Sequence, residues 1–321
     1  MGATLYPAIE PYVHGHLEAG DGHSSYWEQC GDPAGKAALV LHGGPGSGCD
    51  PWFRELFDPR RYRVVLHDQR NSGRSTPHAA EPDVDLTTNT TPHLVADIER
   101  LRVHLGIDRW LLLGGSWGTS LALAYAEAFP EHVSEMVLFG VTAGLHREFD
   151  HVFRGGLADD YPVQWQALRD AVLPDNDQDG DVLAATHRLL FDDDPVVREQ
   201  AARAWAWWES AIADWPATDE LKARFHDRDY ALAFARIVTH YALNYAWLED
   251  GELIASTPAI ADIPVALIDG QDDHQTLSAS EVLSQRLPLA TRVVVADASH
   301  SGSSAGIEAA IVSATDRFAA R

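Results

Sequence analysis

The sequence predicts an α/β fold with a mostly parallel central sheet and an inserted helical cap. Short apolar runs alternate with helical patterns up to residue 145, residues 146–249 have helical patterns almost throughout, and the alternation returns over residues 250–321. Strands that alternate with helices favour a parallel sheet. No linker rich in glycine, serine or proline marks either junction. We therefore expect one core domain, residues 1–145 with 250–321, and a cap of residues 146–249.

The expected strands are short runs that either alternate or are apolar throughout. Residues 12–18 and 23–30 alternate, and Gly20-Asp21-Gly22 between them predicts a hairpin. Continuously apolar runs are typical of strands buried on both faces. Such runs cover residues 37–41 and 63–67, and further strands are expected at residues 111–114, 136–139, 264–268 and 292–296.

The expected helices have apolar residues spaced along one face. One covers residues 92–105, with Thr91 as its N-cap and Pro92 at the first helical position. In the cap, Asp181 is expected to cap one helix, and the run Asp192-Asp193-Asp194-Pro195 is typical of the start of another. Further core helices are expected at residues 119–129, 278–287 and 304–320.

Residues 114–118 read Gly-Gly-Ser-Trp-Gly and follow the apolar run 110–113 directly. A buried strand that ends in Gly-x-Ser-x-Gly and continues into a helix is typical of a nucleophile elbow. The turn is tight enough to favour glycine on either side of the serine. Ser116 is therefore the candidate nucleophile.

A serine hydroxyl needs a base to remove its proton, and a carboxylate usually orients that base. Asp273 and His300 each follow a predicted strand, at the sheet edge where open α/β folds build their sites. We assign His300 as general base and acid and Asp273 as the residue that orients it. Asp272 is the competitor for the acidic role.

The run His42-Gly43-Gly44-Pro45-Gly46 follows the strand at residues 37–41. A glycine-rich loop in this position favours an oxyanion hole, formed by the backbone N–H groups of Gly43 and Gly44 together with that of Trp117. An ordinary tight turn is the alternative. We interpret His42 as a structural hydrogen-bonding residue rather than a second base.

The composition excludes several classes of partner. The formal net charge is −24, with 48 acidic and 24 basic residues, so nucleic acid and anionic membrane surfaces are not expected partners. The two cysteines are expected to be reduced thiols of a cytoplasmic protein, because the N-terminus lacks the pattern of a secretory signal. The run 175–180 matches the opening of a calcium loop, but Thr186 stands where that loop requires a glutamate.

Several motifs together resemble the proline iminopeptidase family of α/β-hydrolases, and the similarity spans nearly the whole chain. The resemblance implies cleavage of an N-terminal proline, or another small residue, from a peptide, amide or arylamide. It also implies that acidic cap residues bind the substrate amine, and that no metal or organic cofactor is needed. The motifs are His42-Gly43-Gly44-Pro45-Gly46, Asp68-Gln69-Arg70, Ser72-Gly73-Arg74-Ser75, Gly114-Gly115-Ser116-Trp117-Gly118, Tyr26-Trp27-Glu28-Gln29-Cys30-Gly31 and Ala201-Ala202-Arg203-Ala204-Trp205 through Trp208-Glu209.

The substrate pocket departs from the family pattern. Glu209 matches one of the two amine-binding acids, but Val238 replaces the other, Phe139 replaces an arginine and Thr142 replaces a pocket phenylalanine. At least one of Trp205, Trp207 and Trp208 is expected to face the cavity, because their spacing prevents them from sharing one helix face. We assign the pocket to Glu209, Phe139, Thr142, Val238, Trp208 and Tyr241.

The sequence leaves three functions open. The first is an aminopeptidase that works through an acyl-enzyme. The second is an esterase, lactonase or specialised amidase that acts on a neutral acyl group, as Val238 and Phe139 would allow. The third is a ligand-binding protein on a hydrolase scaffold. A small molecule or short peptide is the expected partner in each case, and the oligomeric state is open.

Overall fold

The computed structural model describes residues 4–174, 180–213, 219–276 and 279–320. In this part of the chain, eight strands form one sheet in the order β1-β2-β4-β3-β5-β6-β7-β8. The strand β2 is antiparallel to both of its neighbours, whereas all other adjacent strands are parallel. The strands are β1 Val13–Gly20, β2 His23–Gly31, β3 Lys36–Leu41, β4 Tyr62–His67, β5 Trp110–Gly115, β6 Val133–Phe139, β7 Val265–Gly270 and β8 Ala290–Val295.

Helices cover both faces of the central strands, and these strands are apolar for this reason. Alternate residues of β3 contribute to two different apolar clusters: Leu39 and Leu41 to one, Ala38 and Val40 to the other. The first cluster also contains residues of α1, α2 and α10, and the second contains residues of α11. The core helices are α1 Thr91–His104, α2 Trp117–Ala128, α9 Glu252–Ala255, α10 Ala279–Arg286 and α11 Ala305–Ala319.

Between β6 and β7 the described part of the chain forms seven α-helices, and six of them lie within residues 146–249, which we call the cap. The strands β6 and β7 nevertheless pair directly, with Leu138 opposite Leu267. The cap has its own apolar cluster, built around Trp205 and Trp208. Its helices are α3 His146–Phe153, α4 Pro162–Val172, α5 Val182–Leu190, α6 Pro195–Ala213, α7 Asp219–His226 and α8 Arg228–Leu243.

The predicted fold class is confirmed by this sheet and its helices. The predicted cap of α5 is also confirmed, because Asp181 accepts the backbone N–H of Ala184 at 3.1 Å. The predicted cap of α1 is wrong by one residue: Thr90 is the N-cap, and the Thr91 hydroxyl instead donates to the carbonyl of Ala246 at 2.6 Å. The acidic run 175–179 lies outside the described residues. Within the described residues, no helix combines the length and apolar character needed to cross a bilayer.

Candidate active site

Ser116 lies at a sharp turn between β5 and α2. Its backbone has φ of 52° and ψ of −124°, a conformation that residues other than glycine rarely adopt. The turn is held from both sides, because Ser116 N–H donates to the carbonyl of Phe139 at 3.0 Å and Thr119 N–H donates to the carbonyl of Ser116 at 2.8 Å. These contacts stabilise a strained serine at the end of a buried strand, which is the geometry of a nucleophile elbow.

The glycines around Ser116 are required by close packing. A Cβ atom on Gly118 would lie 2.0 Å from the carbonyl oxygen of Leu41, and one on Gly115 would lie 2.2 Å from the ring of Phe139. Real Cβ atoms do not approach other atoms so closely. The Gly-x-Ser-x-Gly pattern therefore reflects the contact of the turn with β3 and β6 as well as its backbone angles.

The predicted acid and base are hydrogen-bonded to each other. His300 Nδ1 donates to Asp273 Oδ2 at 2.8 Å, and Asp273 Oδ1 accepts the N–H groups of Gln275 and Thr276 at 2.9 and 3.2 Å. With the Nδ1 proton held by Asp273, Nε2 is the ring nitrogen that can accept a proton. The structure gives the acidic position to Asp273, because Asp272 is exposed to solvent.

The electrostatics of this pair favour the ion pair over two neutral groups. Burial alone would lower the pKa of His300, but the Asp273 carboxylate outweighs burial and the net shift is upward. Burial alone would raise the pKa of Asp273, but His300 outweighs it and the net shift is downward. Asp273 is thus suited to stabilise an imidazolium at residue 300.

Ser116 and His300 line the same cavity. They also border the same short stretch of backbone, the end of β6. Ser116 N–H bonds the carbonyl of Phe139, and a Cβ on the next residue, Gly140, would lie 3.0 Å from Cε1 of the His300 ring. Folding therefore brings the hydroxyl, the imidazole and the carboxylate of three distant segments to one end of the sheet.

The glycine-rich loop after β3 packs directly against the elbow. A Cβ on Gly43 would lie 3.3 Å from Cβ of Ser116, and Gly44 has a φ of +107°. Trp117 is the first residue of α2, so its N–H has no acceptor within the helix. The predicted oxyanion donors Gly43, Gly44 and Trp117 all line the cavity beside Ser116.

His42 and Gln69 hold the two sides of this region together. His42 Nε2 accepts the N–H of Gln69 at 3.0 Å, and its Nδ1 donates to the carbonyl of Gly43 at 3.0 Å. The Gln69 side chain donates to the carbonyl of His42 at 2.9 Å and accepts the indole N–H of Trp117 at 3.0 Å. Burial lowers the pKa of His42 to about 4, so His42 is a neutral structural residue. Gln69 has no role in the sequence prediction beyond its motif.

A buried charge network stabilises the glycine-rich loop after β3. Asp68 accepts the backbone N–H of Cys49 at 2.7 Å and pairs with Arg74 at 2.8 Å. Burial by itself would raise the pKa of Asp68, but the hydrogen bond and charge of Arg74 lower it overall. Glu28 then links Arg74 to Arg54, with N–O distances of 2.8 and 2.7 Å. The second and third motifs of the sequence thus fix the loop that carries Gly43 and Gly44.

The cavity between the cap and the sheet has a volume of about 560 Å³, which is the size of a small-ligand site. Glu209 of α6 lines it, and its Oε1 has no partner in hydrogen-bonding geometry among the described residues. Burial raises the pKa of Glu209 to about 8. A buried ionisable group that shares a cavity with a nucleophile indicates a ligand-binding role.

Of the other residues assigned to the pocket, Phe139 and Thr142 line the cavity. The assignments of Trp208, Val238 and Tyr241 are wrong, because none of these three is among the lining residues. Trp208 packs against Trp165 inside the cap, with ring centroids 5.1 Å apart.

Val238 and Tyr241 face inward from α8. Val238 belongs to the apolar cluster of the cap, and the Tyr241 hydroxyl donates to Asn89 Oδ1 at 2.8 Å. The expectation that a cap tryptophan faces the cavity is also wrong: Trp205 is buried in the cap cluster and Trp207 is 41% exposed. Helical spacing alone does not show which side of a buried helix faces the substrate.

The sequence prediction missed Arg224 of α7, which also lines the cavity. Its guanidinium donates to the carbonyl of Ser47 and lies over the ring of Tyr230, 4.6 Å from the centroid. No sequence motif marks this arginine. Within the residues that the structure describes, no group of three or more His, Cys, Asp or Glu side chains is placed to hold a metal ion.

The fold and this site define the class of protein. Residues 37–304 match the family described as "alpha/beta hydrolase fold", and the chain belongs to that family. A Xanthomonas citri proline iminopeptidase is 42% identical to it over 98% of this chain and 99% of the relative. A Streptomyces coelicolor protein named "Probable proline iminopeptidase" is 47% identical over 98% of each chain.

The protein accordingly belongs to the proline iminopeptidase family and is an enzyme of the serine hydrolase class. The crystal structure of a Mycobacterium smegmatis proline iminopeptidase is similar to it with a TM-score of 0.66 and 21% identity, covering 96% of this chain and 99% of that one. This last likeness concerns the fold.

Proposed function

We propose that the protein is an aminopeptidase that releases proline, or another small residue, from the N-terminus of a short peptide, amide or arylamide. One observation carries the proposal: the cavity that contains Ser116 and His300 also contains the buried carboxyl group of Glu209, whose Oε1 has no hydrogen-bond partner among the described residues. The names of the relatives, which are 42–47% identical, support proline as the released residue.

In the proposed mechanism, His300 Nε2 takes the proton from Ser116 Oγ as that oxygen bonds to the scissile carbonyl carbon. The resulting oxyanion accepts hydrogen bonds from the N–H of Trp117 and from the Gly43-Gly44 segment. His300 then donates the proton to the leaving nitrogen as the C–N bond breaks. Water, deprotonated by His300, attacks the ester on Ser116, and the serine leaves with the proton.

Glu209 is the proposed partner of the substrate's ammonium group. An incoming cation would lower the pKa of this carboxyl group and stabilise its ionised form. A charge pair formed in a dry cavity is worth several kcal/mol when one partner is removed, about 2–5 kcal/mol in comparable interfaces. The amine, bound by Glu209, would place the first carbonyl of the substrate at Ser116.

A second candidate is an esterase, lactonase or amidase for a neutral acyl group. It is favoured by one observation: burial raises the pKa of Glu209 to about 8, so in the empty cavity at pH 7 this group is mainly uncharged.

A comparison of a prolyl arylamide with its N-acetylated form distinguishes these functions. We expect acetylation to abolish turnover, and we expect Glu209→Gln to lower kcat/KM for the free amine by about a hundredfold. Glu199→Gln on the same helix is the matched control, because Glu199 pairs with the exposed Arg203 outside the cavity. Equal turnover of the acetylated substrate, with no effect of Glu209→Gln, would indicate the neutral-acyl enzyme. No turnover of either substrate would refute the proposed aminopeptidase.

We also propose the domain organisation and location expected from the sequence. Residues 1–145 and 250–321 would form one core domain with residues 146–249 inserted, which is supported by the direct pairing of β6 with β7. The proposed location is the cytoplasm, which is supported by the free thiols of Cys30 and Cys49. The proposed partner is a small molecule or short peptide.

A further inference from the structure

The cavity contains a cation as well as an acid. Arg224 lies at the side of the cavity formed by the glycine-rich loop, because its guanidinium donates to the carbonyl of Ser47. The face of its guanidinium lies over the Tyr230 ring at 4.6 Å. A guanidinium that is held by its face and by a single N–H still has further N–H donors along its edge.

Arg224 has no counter-ion among the described residues. Asp50 and Glu209 also line the cavity, yet neither forms an ion pair with Arg224. Asp50 Oδ1 is occupied by the backbone N–H of Trp52 at 2.8 Å. An arginine without a carboxylate partner, at the wall of a site of ligand size, is a typical binding group for a carboxylate.

The two groups are carried by different elements of the cavity wall. Glu209 lies on α6, whereas Arg224 lies on α7 and is tied to the loop residue Ser47. Since Glu209 and Arg224 form no ion pair with each other, the cavity can bind a ligand that carries a positive charge at one end and a negative charge at the other.

We propose that Arg224 binds the free C-terminal carboxylate of a very short peptide, so that the enzyme prefers dipeptide-like substrates with both termini free. This inference rests on the proposed aminopeptidase function and narrows its substrate class. The cavity volume of about 560 Å³ matches a ligand of this size. A planar guanidinium can bind both oxygens of a carboxylate at once, which a neutral C-terminal amide does not offer.

The test compares prolylalanine with prolylalanine amide in the wild type, in Arg224→Gln and in Arg224→Lys. We expect the wild type to favour the free acid by about tenfold or more in kcat/KM. Arg224→Gln should bring the acid-to-amide ratio close to one, and Arg224→Lys should restore part of it. The ratio is insensitive to a general loss of active protein. Arg203→Gln, which removes an exposed arginine of α6, should keep the wild-type ratio.

Failure of the inference and failure of the proposed function give different results. If the wild type cleaves a prolyl arylamide but hydrolyses the acid and the amide equally, the carboxylate site is refuted and the aminopeptidase stands. The same conclusion follows if Arg224→Gln keeps the wild-type preference. If neither the arylamide nor the dipeptides are cleaved, the aminopeptidase itself is refuted, and the inference falls with it.

Discussion

The floor of the cavity and the cap above it differ in how their polar groups are satisfied. On the floor, both oxygens of Asp273 are hydrogen-bonded, and His42 and Gln69 bond the two sides of the oxyanion region. In the cap, Oε1 of the cavity residue Glu209 has no partner in hydrogen-bonding geometry among the described residues. The floor is organised before substrate arrives, whereas this oxygen of the cap remains available to it.

This difference indicates that the floor carries out the reaction and that the cap recognises the substrate. Groups that stabilise a transition state act best when they are fixed in advance, because no reorganisation is then needed during the reaction. A group that recognises a ligand can remain without a protein partner, because the ligand becomes its partner on binding. Before the ligand binds, a buried polar group without a partner lowers the stability of the fold by about 1–3 kcal/mol. Four predictions test this separation, from the largest expected effect to the smallest.

Removing the nucleophile should have the largest effect. Ser116→Ala is expected to lower kcat by about a millionfold, because the remaining groups act only as a unit with it. Covalent labelling with a fluorophosphonate probe should disappear together with turnover. Ser303→Ala, at another serine of the cavity wall, is the control and should keep labelling. Labelling that persists in Ser116→Ala would refute the assignment.

Replacing the carboxylate beneath His300 should have the next largest effect. Asp273→Asn is expected to lower kcat by about ten-thousandfold, because the amide no longer holds the Nδ1 proton and no longer stabilises the imidazolium. Asp272→Asn removes a neighbouring charge that is exposed and should stay within a few-fold of wild type. Steady-state kinetics measure both effects. Equal effects of the two substitutions would contradict the hydrogen bond between Asp273 and His300.

The charge network below the glycine-rich loop should affect stability. Asp68→Asn is expected to lower the free energy of unfolding by about 3–5 kcal/mol, because it leaves Arg74 partly buried without its main partner. Urea unfolding followed by circular dichroism measures this change. Glu199→Gln, which removes the charge that pairs with the exposed Arg203 and Arg228, should change the free energy of unfolding by less than about 1 kcal/mol. A loss no larger than that of the control would mean that the network does not stabilise the fold.

The smallest effect concerns the pH dependence of stability in the cap. Burial raises the pKa of Glu209 to about 8 from an ordinary value of 4.5, so folding takes up a proton between these two pH values. Wild type should therefore lose stability relative to Glu209→Gln as the pH rises from 4.5 to 8, with the difference levelling off above that. Urea unfolding at pH 5, 7 and 9 should show a difference that grows to a few kcal/mol. A difference that does not change with pH would mean that Glu209 is not buried as described.

The sequence predicted the floor far better than the cap, for a physical reason. Ser116 and the Gly43-Gly44 segment lie in short motifs, where the backbone geometry is encoded by neighbouring residues. Asp273 and His300 follow strands, and strand ends of a parallel sheet meet at one edge. Local sequence therefore carries most of the information about where these side chains lie.

The cap residues that face the cavity are harder to predict from the sequence, because the cap helices are buried on more than one side. Trp208 and Glu209 are adjacent in α6 and both are buried, yet only Glu209 lines the cavity. Val238 is enclosed in the cap cluster, and Arg224 lines the cavity from a short helix with no recognisable motif. Which side of such a helix faces the substrate depends on how the helices pack, and residue spacing does not encode that packing.

The close approach of Gly118 to Leu41 and of Gly115 to Phe139 has a consequence for anyone who wishes to retarget this enzyme. Mutagenesis libraries that include positions 115 and 118 would consist mostly of inactive clones, since any added carbon meets backbone or ring atoms within about 2.2 Å. Diversity is better introduced at cap positions such as Glu209 and Arg224, where new substrate preferences can arise without disturbing the serine turn.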